Sequence, residues 1–105
     1  MSDAVKLYDE ADKLKDAGKL DEAAAKLLEA LAADPAYALA YSALAIVLQK
    51  LGRHDEAIEH AKQVCLLEPN DPFSYTAMSV TFQRAGKIPE AEDAMAKART
   101  LQAQG

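Results

Sequence analysis

The side chains that most often catalyse reactions or bind metals are few in this chain, which has two histidines and one cysteine. His54 and His60 lie six positions apart, so they do not share a helix face, whereas paired histidine ligands on a helix typically occupy i and i+4. Cys65 has no second cysteine for a disulfide, and its apolar neighbours Val64 and Leu66 favour a small buried side chain. We therefore expect no metal site and no cofactor.

The two histidines also have simpler structural interpretations. His54 occupies the position that Leu20 and Ile88 occupy in the periodic pattern described below, so we expect it to pack at a turn. His60 corresponds to Lys26, and we expect it to be exposed. The chain contains no recognisable Ser-His-Asp arrangement, glycine-rich phosphate loop or CxxC motif. The sequence therefore predicts a protein that is not an enzyme.

The composition of the 105 residues narrows the class of partner. Acidic residues outnumber basic ones by 17 to 12, and the net charge of −5 disfavours binding to nucleic acid or to a membrane. The uncharged run 35–49 has 15 residues, fewer than the roughly 20 that a membrane-spanning helix needs. Residues 1–3 lead directly into a charged helical pattern without the features of a signal peptide. With its single cysteine, the chain is predicted to be cytoplasmic.

A period of 34 residues organises the whole sequence. Gly18, Gly52 and Gly86 keep this spacing, within the similar segments AGKLDEA, LGRHDEA and AGKIPEA. Each glycine is typical of the end of one helix, and the acidic residues after it suit the first turn of the next helix. No segment shows a strand pattern, so an all-α protein is predicted. The expected organisation is one domain, 1–105, of three helix-turn-helix units: 4–37, 38–71 and 72–105.

The pattern within each unit resembles the tetratricopeptide repeat (TPR) family. The large, small and large apolar positions of the first helix are Leu7–Ala11–Leu14, Tyr41–Ala45–Leu48 and Tyr75–Ser79–Phe82. The chain departs from the family pattern in having no tryptophan, a slim Ala61 in the second unit and no final proline in the third. The resemblance implies a right-handed α-solenoid of six helices without an additional capping helix.

The outer faces of the first and third units are predicted to meet water. The first unit has Lys6, Glu10 and Lys13 where the middle unit has Ala40, Leu44 and Val47. The third unit has Glu92 and Arg99 where the second has Ile58 and Cys65. Because terminal repeats need polar outer faces, we expect the array to be complete with three repeats.

The resemblance also implies that the first helices line a concave face where peptide segments bind. The predicted peptide-binding residues are Tyr8, Asp12, Leu39, Ala43, Ile46, Lys50, Phe73, Ala77, Val80 and Arg84. Four of these are large apolar side chains on the second and third units, and exposed apolar patches commonly mark interaction sites. The net charges of the three units are −3, −2 and +1, and Lys50 and Arg84 are predicted at one edge of the groove, opposite Asp9, Asp12 and Asp16. An ordinary solvated surface would also explain this charge gradient.

A well-known ligand of the family is the acidic C-terminus of heat-shock chaperones, held by a carboxylate clamp of Lys, Asn, Asn, Lys and Arg. The corresponding positions here hold Tyr8, Asp12, Ala43, Phe73 and Ala77. None of them carries the required side chain, and the carboxylate of Asp12 would repel the ligand. A chaperone carboxylate motif is therefore not the expected partner.

Two functional hypotheses remain open from the sequence. The first is a module that binds an apolar or amphipathic peptide segment of another protein in the concave groove. The alternative is a structural unit that forms a homo-oligomer through the groove or through its C-terminal helix, where Met95 and Leu101 are predicted to be partly exposed. The groove residues could also pack against their own neighbouring helices, which would close the groove. The identity of the partner is not encoded in these packing positions.

Overall fold

The computed structural model describes residues 3–105, within which it has six α-helices and no strand. The first two residues of the predicted domain lie outside this range. The helices are α1 (Asp3–Asp16), α2 (Leu20–Ala33), α3 (Ala38–Lys50), α4 (His54–Leu67), α5 (Pro72–Arg84) and α6 (Ile88–Gln104). Each unit is a hairpin, and α2 and α4 also pack on the first helix of the following hairpin. The all-α solenoid predicted from the period is confirmed.

The turn inside each hairpin is built around a glycine in the left-handed conformation. Gly18, Gly52 and Gly86 have φ angles of 79°, 79° and 78°. In the first hairpin the amide of Lys19 donates to the carbonyl of Leu14 at 2.8 Å, and the second and third hairpins repeat this bond. This is the Schellman arrangement, which satisfies the last carbonyls of the first helix and explains why the glycines recur.

The turns between hairpins use aspartate instead of glycine. The side chain of Asp71 accepts a hydrogen bond from the amide of Phe73 at 3.0 Å, and Pro72 occupies the first turn of α5. This aspartate caps the helix, and the proline fits there because the first turn needs no amide donor. At the earlier turn, the hydroxyl of Tyr41 donates to the carbonyl of Pro35 at 3.1 Å. These bonds fix the angle at which the next hairpin starts.

The core consists of small and branched side chains between the hairpins. The larger cluster joins the first two hairpins and has Leu27, Leu44 and Val47 among its most buried members. Several alanines are fully buried within it, which lets the helices approach closely. A smaller cluster around Phe82 joins the second hairpin to the third. The middle helix α3 packs on α2 before it and on α4 and α5 after it. This is why its apolar residues point in many directions.

The outer faces of the first and third hairpins are exposed to solvent, as the sequence predicts. Lys6, Glu10 and Lys13 are exposed, whereas their equivalents in α3 are buried. Glu92 and Arg99 are likewise exposed where the second unit buries apolar side chains. Across residues 3–105, none of the helices combines the length and the apolar character that crossing a bilayer requires.

Candidate functional site

The concave face presents four large apolar side chains to solvent. The exposed fractions are 57% for Leu39, 46% for Ile46, 73% for Phe73 and 39% for Val80. These side chains repeat at i and i+7 on α3 and α5, so they form two parallel stripes. The predicted groove is therefore open at these positions and is not closed by the packing of α3 against α5.

A cleft lies between α3 and α5, beside these two stripes. Ile46 of α3 faces Ala77 and Val80 of α5 across it, and its floor is made by Ala61 and Val64 of α4. The cleft has a volume of about 230 Å³ and a mainly apolar lining. Leu39 and Phe73 are exposed but do not line it. Thus three of the ten predicted residues come together around one space large enough for a side chain.

The corresponding space between α1 and α3 is nearly filled. It is lined by Tyr8, Asp12 and Ala43 among others, and its volume is about 10 Å³. A shift of 34 residues relates this space to the cleft and places Tyr8 at Ser42, and Leu27 at Ala61. The cleft is open because a hydroxymethyl group and a methyl group take the places of two large side chains.

Tyr8 and Ala43 belong more to the core than to the open surface. The Tyr8 ring lies 5.7 Å from the ring of Tyr37, and both Tyr8 and Ala43 are half-buried against the larger cluster. The α1 side of the concave face is therefore a packed wall. The α4 floor was missing from the predicted site because only first helices were expected to line it. The slim Ala61 was the sequence signal that could have revealed it.

Charged side chains flank the apolar stripes. Asp12 pairs with Lys15 on the same helix at 3.4 Å, and both remain partly exposed. Lys50 follows Ile46 by one helical turn, and Arg84 follows Val80 in the same way. Both cations are exposed, and within residues 3–105 neither makes an ion pair. Both side chains therefore meet solvent at the C-terminal ends of α3 and α5.

The expectation that His60 is exposed is wrong. Its ring lies 6.0 Å from the ring of Tyr41 and is half-buried between the helices of the second hairpin. The Nδ1 atom is buried without a hydrogen-bond partner among the described residues. Burial lowers the pKa of His60 from its ordinary value, although the carboxylates of Glu56 and Glu59 oppose this shift. His60 is half-buried because the ring of Tyr41, on the other helix of the hairpin, lies against it. The position of His60 in the repeat does not show this contact.

This burial predicts a dependence of stability on pH. Because the pKa of His60 is lower in the folded chain than the value near 6.5 of the unfolded chain, protonation favours unfolding. The contribution is fully present above about pH 6.5 and is lost as the pH falls towards the folded pKa. We expect the free energy of unfolding, measured in urea, to decrease between about pH 7.5 and 5.5.

The variant His60→Gln is the control for this expectation, because it removes the titrating group and keeps a polar side chain of similar length. It should have a smaller decrease over the same range. Glu56, whose pKa is lowered by the Arg53 guanidinium, titrates below this range and does not confuse the result. Equal slopes for the two proteins would contradict the assignment to His60.

The remaining reactive groups do not gather into a site. Within residues 3–105, no group of three or more His, Cys, Asp or Glu side chains is placed to hold a metal ion. Cys65 is buried, with its Sγ atom 3.8 Å from the Sδ atom of Met78, and burial raises the pKa of its thiol. A raised pKa disfavours the reactive thiolate.

The described helices define a class of protein, an α-solenoid of helical hairpins with an open concave face. The profile of the tetratricopeptide repeat family matches residues 8–75, and the chain belongs to this family. The family resemblance inferred from the 34-residue period is confirmed. TPR domains are generally non-catalytic modules for protein interaction. No curated protein matches the sequence.

Several solved structures share this fold at low sequence identity. A crystal structure of MamA is 24% identical, with a TM-score of 0.89 over 98% of this chain and 60% of that chain. The second TPR of Spaghetti (RPAP3), bound to the HSP90 peptide SRMEEVD, is 23% identical, with a TM-score of 0.83 over 93% of this chain and 91% of that one. The Sgt2 TPR domain from Aspergillus fumigatus is 19% identical, with a TM-score of 0.88 over 100% and 70% of the two chains. This chain thus spans less than two thirds of the MamA chain.

Proposed function

We propose that this TPR domain is a non-catalytic interaction module that binds an apolar or amphipathic peptide segment on its concave face. The observation that carries the proposal is the open cleft between the exposed side chains of Ile46 and Val80. Exposed apolar area of this kind is stabilised by contact with a partner, because burial removes it from water. A reducing compartment such as the cytoplasm suits the single thiol of Cys65.

The fold neighbours support a peptide ligand but not a particular one. The second TPR of RPAP3 is bound to the HSP90 peptide SRMEEVD. In this chain the five clamp positions hold no lysine, arginine or asparagine. We therefore propose that the ligand is held by apolar contacts on α3 and α5, and that a chaperone carboxylate motif is not preferred.

The proposal is tested by mapping a ligand onto the protein. Short peptides are enriched on the purified chain from a random display library, synthesised, and titrated into ¹⁵N-labelled protein. We expect the largest amide shifts on α3 and α5 near the cleft and small shifts on the outer faces of α2 and α6. If no peptide is enriched, or if the shifts centre on an outer face, the proposal is wrong.

A second candidate function is self-assembly through the C-terminal helix. Ile88 is half exposed, and together with Met95 and the charged side chains of Glu92 and Arg99 it lines an open, largely polar cleft of about 510 Å³ on the third hairpin. Light scattering across a wide concentration range separates the two candidates. A monomer at every concentration contradicts assembly, and a dimer lost in Met95→Glu supports it.

A further inference from the structure

We infer that the cleft between α3 and α5 is the pocket for one large apolar side chain of the partner segment, and that an acidic residue beside it contacts Lys50 and Arg84. This inference rests on the proposed function, because it specifies the ligand of the same concave face. Three observations carry it: the size of the cleft, its origin in the repeat pattern, and the unpaired cations one helical turn beyond Ile46 and Val80.

The cleft has the size and chemistry of a side-chain pocket. Its volume of about 230 Å³ exceeds the roughly 150 Å³ of an apolar protein cavity that binds benzene. Ile46 and Val80 form its walls, and the floor atoms of Ala61 and Val64 are buried. The hydroxyl of Thr81 in the lining donates to a carbonyl of its own helix at 3.2 Å. The rest of the lining is mainly apolar, with Ser42, Gln49 and Ser74 as its other polar residues, so a leucine or aromatic side chain would make mostly apolar contacts there.

The repeat pattern shows what is missing from the cleft. At the preceding interface the equivalent space is occupied by Tyr8 and Leu27. At this interface the same positions are Ser42 and Ala61, whose side chains are too small to fill the space. A side chain from a bound segment would restore the packing that the first interface already has. This equivalence sets the expected occupant, since it must be apolar and of similar volume.

The side chain of the partner segment that enters the cleft is called the anchor. Lys50 and Arg84 favour an acidic residue next to this anchor. Lys50 and Arg84 lie one turn beyond Ile46 and Val80, at the C-terminal ends of α3 and α5, and neither makes an ion pair within the described chain. Two unpaired cations attract a carboxylate that approaches with the anchor. The acidic stripe of Asp9, Asp12 and Asp16 on α1 repels the same group, so the segment has a preferred direction.

The pocket is tested by filling it with the side chain that the first interface uses. The probe is a fluorescently labelled synthetic peptide enriched on the unmodified chain. We expect Ala61→Leu to weaken its binding by about 10- to 100-fold, the range for burial of one large apolar side chain. The melting temperature should be unchanged or higher, because leucine already packs at the equivalent position of Leu27. Ser42→Tyr is the second filling variant.

The anchor itself provides a double-mutant control. Replacing the large apolar residue of the peptide by alanine should weaken binding to the unmodified chain, yet have little further effect on Ala61→Leu. If Ala61→Leu and Ser42→Tyr both bind the peptide as the unmodified chain does, the pocket assignment is wrong. If the filling variants bind normally while Ile46→Glu/Val80→Glu does not, only the pocket fails and the proposed groove stands.

The acidic neighbour is tested by reversing charge on both partners. Lys50→Glu/Arg84→Glu should weaken binding about five- to tenfold at low salt, with a smaller loss at high salt because exposed charges are screened. A peptide with its acidic residue replaced by lysine should recover affinity for this variant. A merely structural role for the two cations, at the ends of α3 and α5, would change the melting temperature without this recovery. Absence of the recovery overturns the charge assignment.

Discussion

Leu48→Ala should lower the free energy of unfolding by about 2–5 kcal/mol, whereas Ile46→Ala should lower it by about 1 kcal/mol or less. The two residues are separated by one position on α3. Leu48 is 3% exposed and belongs to the larger core cluster, so its truncation leaves a cavity between the first two hairpins. Ile46 already contacts solvent at the cleft, and alanine favours the helix more than isoleucine does.

Urea unfolding followed by circular dichroism measures both values. A domain of this size is stabilised by only about 5–15 kcal/mol, so the loss expected at Leu48 is a large fraction of the total. Leu28→Ala, at an exposed position on α2, is a matched control for removing a large apolar side chain from a helix surface. Equal large losses at Leu48 and Ile46 would mean that the groove is closed by packing, and the peptide-binding model would then be wrong.

The double variant Ile46→Glu/Val80→Glu should weaken peptide binding by at least about 100-fold while leaving the fold intact. Both side chains line the cleft, and a ligand that buries apolar area there would have to strip water from two carboxylates. The fold should persist because both positions are exposed on helix surfaces in the free protein. Fluorescence anisotropy with an enriched peptide measures the affinity, and circular dichroism checks the helix content.

Leu28→Glu/Leu66→Glu is the matched control, because it adds the same charge at exposed apolar positions of α2 and α4 that do not line the cleft. It should bind the peptide within about threefold of the unmodified chain, since a distant surface charge adds little to an apolar contact. If the groove variant binds equally well, the peptide lies elsewhere on the domain and the proposed function fails.

The sequence determined the architecture of this protein because the same pattern of packing residues occurs in all three repeats. The period of Gly18, Gly52 and Gly86 located the helical hairpins, since each glycine adopts a left-handed conformation that other residues resist. The contrast between Lys6 and its equivalent Ala40 predicted which faces meet water, since helix neighbours follow directly from the repeat order. The positions of the apolar groove residues on first helices followed from the same order.

The tertiary structure alone decided which of those positions are open. Spacing assigns Ile46 and Tyr8 to the same concave face, but Tyr8 fills the space beside α3 and Ile46 borders an empty one. The difference depends on the volumes of side chains from three helices at once, including Ala61 from α4. His60 became half-buried for the same reason, because the ring of Tyr41 covers it across the hairpin. One-dimensional patterns fix which face a residue occupies, whereas the filling of that face depends on neighbours that only the folded chain brings together.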